Sequence, residues 1–107
     1  MNRFMRILVF FDLPVKTKPE RRVATQFRNF LLKDGYHMLQ FSIYARTCNG
    51  TDAVEKHKTR LYNSLPDNGS IRMLVITEKQ YQSIEILVGN LKEETDTSFA
   101  YEQLTLL

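Results

Sequence analysis

Apolar positions along this chain fall into short dense runs separated by polar turns. In residues 4–13, FMRILVFFDL, the alternating sets are Phe4, Arg6, Leu8, Phe10, Asp12 and Met5, Ile7, Val9, Phe11, Leu13. Both sets are largely apolar, which predicts a strand covered on both faces. A loop runs from Pro14 to Pro19, and a helix is predicted from about Pro19 to Asp34, with Gly35 just past its end. Thr17 and Glu20 have capping-box spacing. Val23, Ala24, Phe27, Phe30 and Leu31 make one apolar stripe, and Arg21, Arg22, Arg28 and Lys33 lie mostly away from it.

Tyr36 to Cys48 reads as one long extended run with a bend or bulge near Gln40 to Ser42. Asn49-Gly50 is a turn. A second helix is expected from about Asp52 as N-cap, with Glu55 three residues on and Val54, His57, Leu61 and Leu65 on its buried side. Pro66-Asp67-Asn68-Gly69 is a turn, and Ile71 to Thr77 is a further strand, apolar on both faces. Glu78 to Ser83 reads as one helical turn and Ile84 to Val88 as a short strand or edge.

This order predicts an α+β fold, a ferredoxin-like α/β sandwich of βαββαβ type with a short C-terminal strand. Residues 1–90 form the domain, and residues 91–107 a tail that docks on a partner chain. Its apolar end, Leu104, Leu106 and Leu107, is suited to adding an edge strand to a neighbour. Two helices cover only one face of such a sheet. The other would expose about five large apolar side chains, each worth about 1.5–3 kcal/mol when buried. A two-fold homodimer with the sheets packed face to face is the simplest cover.

Composition narrows the setting. With 107 residues, 43% of them hydrophobic, the chain builds one core. Its single cysteine, Cys48, cannot pair within the chain, and the longest apolar run near the start is too short for a signal or a membrane span. A cytoplasmic location with no membrane contact is expected. The net charge of +3 hides an asymmetry: residues 1–92 carry +7 and the tail from Glu93 carries −4. A basic body suits a polyanionic partner, although ordinary solvated charge looks the same at this level.

Standard catalytic signatures are few. There is no G-x-G-x-x-G, P-loop, H-E-x-x-H or C-x-x-C, and the RNA-binding aromatic motif is missing. His37 and His57 lack metal-type spacing and read as structural, and Cys48 has no evident base. Asp12 stands apart, a carboxylate at the end of an apolar strand, followed by Leu13-Pro14. Mg²⁺ is often held by one or two carboxylates with water and phosphate oxygens. One Asp is a poor site, but a two-fold axis near the strand end would supply a second Asp12. The competing reading is an Asx-type cap on the loop amides of residues 14–17.

The segments Phe10-Phe11-Asp12-Leu13-Pro14, Arg21-Arg22, Phe30-Leu31-Leu32 to Gly35-Tyr36, Met38 to Tyr44, Asn68 to Ile71, and Val75 to Tyr81 occur in a specific order. Taken together they resemble the small CRISPR-associated protein of the spacer-acquisition pair, particularly the variant found with type II systems. The resemblance spans roughly residues 5–90. It implies a ferredoxin-like homodimer that bridges dimers of the larger CRISPR integrase subunit, with duplex DNA (the prespacer) held by the complex. It also implies a metal-dependent endonuclease acting on RNA or DNA, with Asp12 as catalytic residue and ligand of Mg²⁺, or of Mn²⁺ in its place.

Three functions follow from this. The first is a DNA-bridging subunit whose basic surface, Lys16, Lys18, Arg21, Arg22, Arg28 and Arg46, contacts phosphates without reading bases. The second is a Mg²⁺-dependent phosphodiesterase with Asp12 from both protomers, and Ser42 and Tyr44 as nearby polar helpers. The alternative is a stand-alone, toxin-like metal-dependent ribonuclease on the same fold.

Overall fold

The computed structural model describes residues 3–89. Strand β1 (Phe4–Asp12) leads into helix α1 (Lys18–Lys33). Strands β2 (His37–Gln40) and β3 (Ile43–Asn49) follow, then helix α2 (Thr51–Tyr62), strand β4 (Ser70–Thr77) and the short helix α3 (Glu78–Gln82). The sheet order is β2-β3-β1-β4, and every neighbouring pair is antiparallel. β1 and β2 therefore run the same way with β3 between them, and β3 and β4 run the same way with β1 between them. These two interleaved βαβ units make the ferredoxin-like sandwich expected from the pattern.

Alternation divides β1 between two environments. Met5, Ile7, Val9 and Phe11 share a face with Tyr44, Arg46 and Cys48 of β3 and with Ile71, Met73 and Val75 of β4. Ala24, Phe27 and Leu31 of α1 and Val54 and Leu61 of α2 bury against that face, leaving Ile7, Val9 and Leu31 fully enclosed. Phe11 meets Phe27 edge-on with ring centroids 5.3 Å apart. The opposite face carries Phe4, Leu8, Phe10, Ile43, Leu74 and Ile76. Phe4 and Leu74 are exposed, Phe10, Ile43 and Ile76 half-buried and Leu8 buried, so among the described residues this face is apolar and partly open, as expected.

Local sequence explains the ends of α1. The Glu20 amide donates to Thr17 Oγ1 at 3.2 Å, and the Thr17 amide donates back to Glu20 Oε1 at 2.8 Å. At the other end Gly35 adopts φ +94°; its amide reaches the Leu32 carbonyl and the Tyr36 amide reaches the Leu31 carbonyl. That pair of bonds is a Schellman motif, which satisfies carbonyls the helix would otherwise leave open.

Four local expectations are corrected. The run 36–48 does not merely bend: Phe41 and Ser42 reverse it into a hairpin, with Ser42 at φ 66° and its carbonyl accepting from the Phe11 amide at 3.0 Å. The N-cap of α2 is Gly50 rather than Asp52, because the Gly50 amide is bonded to the Arg3 carbonyl and its φ of 91° lets the helix begin at once; Asp52 falls in the first turn. Leu65 is exposed, since α2 stops at Tyr62. Residues 84–88 form no strand; Ile84, Ile86, Leu87 and Val88 are exposed beyond α3, and no described strand pairs with them. The tail 91–107 lies outside the described residues.

The turn before β4 locks the end of β1. Gly69 has φ +100°, and a Cβ there would sit 2.6 Å from Leu13 Cδ2 and 2.8 Å from the Asp12 carbonyl oxygen. Gly69→Ala therefore adds strain to a steric clash. It should destabilise the fold by about 1–3 kcal/mol, read as a lower urea midpoint. An unchanged midpoint would show that this close approach is not rigid.

Candidate active site and nucleic-acid interface

Asp12 is the last residue of β1, a strand paired on both sides. It lies opposite Ser70 of β4, on the face turned away from α1 and α2, and is exposed. The strand end around it is held on three sides: the neighbouring Phe11 amide bonds to the Ser42 carbonyl, Ser70 pairs across the strand, and Gly69 abuts the Asp12 carbonyl. Its carboxylate, in contrast, has no hydrogen bond or ion pair among the described residues. The Asx-cap reading predicts bonds from the amides of residues 14–17, and none is made. Asp12 is an anchored strand end that presents an unengaged carboxylate.

The donor set fits a hard cation only in part. Asp12 offers carboxylate oxygens and Ser70 stands opposite, yet no group of three or more His, Cys, Asp or Glu residues converges among the described residues. A Mg²⁺ ion bound through one or two carboxylates, waters and phosphate oxygens matches this chemistry when a second copy supplies another Asp12. Ser42 remains close, on the β2–β3 turn beside the end of β1. Tyr44 does not: it is buried on the helix side, its ring 5.6 Å from that of Phe11. The alternation of β3 places it on the wrong face to help Asp12.

The six basic candidates separate by environment. Lys16, Lys18, Arg22 and Arg28 are exposed, and no described residue forms an ion pair with them. Arg21 is exposed too, but its Nη1 donates to the Val15 and Lys16 carbonyls at 3.2 and 3.1 Å, which ties down the β1–α1 loop. Arg46 is half-buried on the helix side of β3. Its Nε donates to the Asp34 carbonyl and its Nη1 to the Thr47 carbonyl, both at 2.6 Å. A Cβ at Gly35 would lie 3.1 Å from that guanidinium. Lys16, Lys18, Arg21 and Arg22 thus cluster at the Asp12 end of the sandwich, Arg28 lies further along α1, and Arg46 is engaged inside it.

Two polar anchors lay beyond the sequence pattern. Asp34 caps α1 and is 4% exposed; its carboxylate meets His57 Nδ1 at 2.9 Å and Arg60 Nε at 2.5 Å, both on α2. This confirms His57 as structural, while Asp34 itself gave no signal beyond its place before Gly35. Arg6 projects from the open face, makes a two-pronged contact with Glu78 at 2.7 and 3.0 Å, and stacks 3.9 Å from the centre of the Tyr81 ring. The signal there was a charge in an otherwise apolar strand, which requires a partner. Cys48 is buried, and that burial pushes its thiol up, away from nucleophilic character.

The chain is thus an α+β protein of the ferredoxin-like class, with an unengaged carboxylate at the end of a central strand. The family model described as CRISPR associated protein Cas2 matches residues 5–84. A protein of Acidovorax ebreus named CRISPR-associated endoribonuclease Cas2 is 60% identical over 79% of this chain and 83% of that protein. A protein of the same name from Flavobacterium psychrophilum is 48% identical over 88% and 82%. The crystal structure of Streptococcus pyogenes Cas2 at pH 6.5 superposes with a TM-score of 0.57 at 22% identity, covering 78% of this chain and 99% of that one, which supports the fold. The chain belongs to the CRISPR-associated Cas2 family. No described helix is long and apolar enough to cross a membrane.

The Arg6 contact makes one acid-labile feature. Hydrogen bonding from Arg6, and then from Gln82, holds the Glu78 carboxyl below its ordinary value. Its contribution is therefore present above the unfolded carboxyl range, near ~4.3, and is lost as pH falls through the lower folded value. Glu78→Gln should lower stability at neutral pH and lose less on acidification than the unchanged chain. Parallel urea midpoints at every pH would contradict this.

Proposed function

We propose that the chain acts as a homodimer in CRISPR spacer acquisition. Its outer α1 surface holds duplex DNA while the dimer bridges copies of the larger integrase subunit, and a centre shared by two Asp12 residues cleaves phosphodiesters with Mg²⁺, or with Mn²⁺ in its place. The observation that carries the reading is the position of Asp12: an unengaged carboxylate on the open sheet face, where a second copy would cover Phe10, Leu74 and Ile76 and bring a second carboxylate. Family membership supports the CRISPR role. The names of the relatives favour RNA as the cleaved substrate.

The two tasks use different surfaces. The outer side of α1 presents Lys18 and Arg22, with Arg28 exposed on its flank toward Tyr44, and the cleavage centre lies at the end of the sheet. Phosphate contacts from such a stripe position a duplex without selecting its sequence. At the centre, hydrolysis forms a bond from phosphorus to a water oxygen and breaks the bond to a ribose oxygen, which leaves with a proton. Asp12 from each of two copies would hold Mg²⁺, which would supply positive charge to the phosphate and ease deprotonation of the attacking water. The doubly paired β1 keeps Asp12 in place for that role.

Asp12→Ala separates the tasks. The variant should lose cleavage of RNA, as should the unchanged protein in excess chelator, while spacer acquisition in cells persists. The protein should sediment as a dimer at micromolar concentration. Chelator-resistant cleavage by the variant, or a monomer in the centrifuge, would overturn the shared centre.

Duplex binding should be electrostatic and indifferent to sequence. The double variant Arg22→Ala, Arg28→Ala should weaken binding to all duplexes alike and make the salt dependence shallower by about 0.9 per lost phosphate contact. An identical slope would remove both arginines from the contact surface.

A further inference from the structure

We propose that Arg72 holds the non-bridging oxygens of the phosphodiester presented to Asp12. The argument starts from strand register. Asp12 faces Ser70 and Phe10 faces Arg72, so Asp12 and Arg72 share the open face as diagonal neighbours on β1 and β4. Diagonal neighbours lie roughly 7–8 Å apart, within reach of a long side chain. No ion pair joins them, and Arg72 is exposed with no ionic partner among the described residues. The gap between carboxylate and guanidinium is where a phosphate would lie.

Elimination leads to the same residue. The open face carries two described arginines on its strands, Arg6 and Arg72. Arg6 is already engaged by Glu78 and Tyr81, which leaves the Arg72 guanidinium unengaged. A planar guanidinium matches a pair of phosphate oxygens with two parallel N–H bonds, which an ammonium cannot do. Covering the face with a second copy strengthens the case. A guanidinium drawn out of water beside Phe10 and Leu74 needs an anion. If both Asp12 carboxylates are committed to a cation, the substrate phosphate is the anion left to meet it. The competing explanation is that Arg72 merely protects an edge strand from unwanted pairing, since β4 is at the edge of the sheet.

This inference rests on Asp12 as the cleavage centre, so its test has a reading that does not depend on cleavage. A fluorescent single-stranded RNA oligonucleotide is titrated in excess chelator with the unchanged protein, Arg72→Ala, Arg72→Lys and Asp12→Ala. Arg72→Ala should bind about 10-fold more weakly, the scale of one charged hydrogen-bonded contact. Its salt slope should be shallower by about 0.7. Arg72→Lys should recover the slope but only part of the affinity, and Asp12→Ala should bind no more weakly than the unchanged protein. With Mg²⁺, Arg72→Ala should also lower kcat for RNA cleavage. Thermal unfolding and sedimentation should not change. If RNA is never cleaved but its binding still depends on Arg72, the cleavage reading fails and the phosphate contact stands. If cleavage depends on Asp12 while Arg72→Ala leaves affinity, slope and kcat unaltered, the phosphate contact fails. A variant that instead dissociates the dimer assigns Arg72 to the interface and also overturns the proposal.

Discussion

The pairing of β1 on both sides is the constraint on which the rest depends. Seven residues of β1 are matched to β3 and eight to β4, and a slip of one residue would exchange its faces. Ile7 and Val9 would then turn away from the helices, and Arg6 and Asp12 would turn toward the core. Burial of charge costs free energy, and Arg6 would lose Glu78 and Tyr81, so burial of the apolar set and exposure of the two charges enforce the same register. Asp12 is therefore placed by packing several residues away rather than by contacts of its own carboxylate. That is how an anchored backbone can end in an unengaged side chain.

The same sheet separates two kinds of surface. On one side α1 and α2 complete the core, and Asp34 clamps them together through His57 and Arg60. Arg46 reaches the Asp34 carbonyl from the sheet. One turn of helix thus gathers α1, α2 and β3 into a rigid layer whose outer face is basic. On the other side no long helix among the described residues covers the sheet, and Arg6 holds the short α3 against its margin. A rigid cationic exterior suits an extended polyanion, whereas a half-covered apolar face suits another copy of itself.

Much of this was legible in the sequence because the signals were local. The capping box at Thr17 and Glu20, the glycine after α1, the alternation in β1 and β4 and the single turn after Thr77 each depend on a few neighbouring residues. What was not legible depended on contacts distant in sequence. Phe41-Ser42 carries no Gly or Pro, so the sequence marked only a bend near Gln40 to Ser42 and the βαββαβ order; the bond between the Ser42 carbonyl and the Phe11 amide shows it as a hairpin turn. Asp52 had ideal capping chemistry, but Gly50 was already held by Arg3. Arg46 looked like any other surface cation, and only the β3 register showed it turned toward the end of α1. Asp12 was found from its position, while the diagonal neighbour Arg72 needed the pairing of β1 with β4.

A single carboxylate is a weak metal site, and on the proposed reading that weakness has a use. One Asp12 leaves most of a cation's coordination to water and phosphate, so an isolated chain would bind the ion loosely. Two copies meeting across the open face would supply the second carboxylate in the same event that covers Phe10, Leu74 and Ile76. Burial of the apolar face and completion of the centre would then be one equilibrium, and cleavage would be confined to the assembled protein. The proposed DNA contacts would need no such completion, because Lys18, Arg22 and Arg28 are exposed on every copy. On that reading one surface would always be presented and the other would be conditional on assembly, so a bridging role would persist whether or not the cleavage centre is intact.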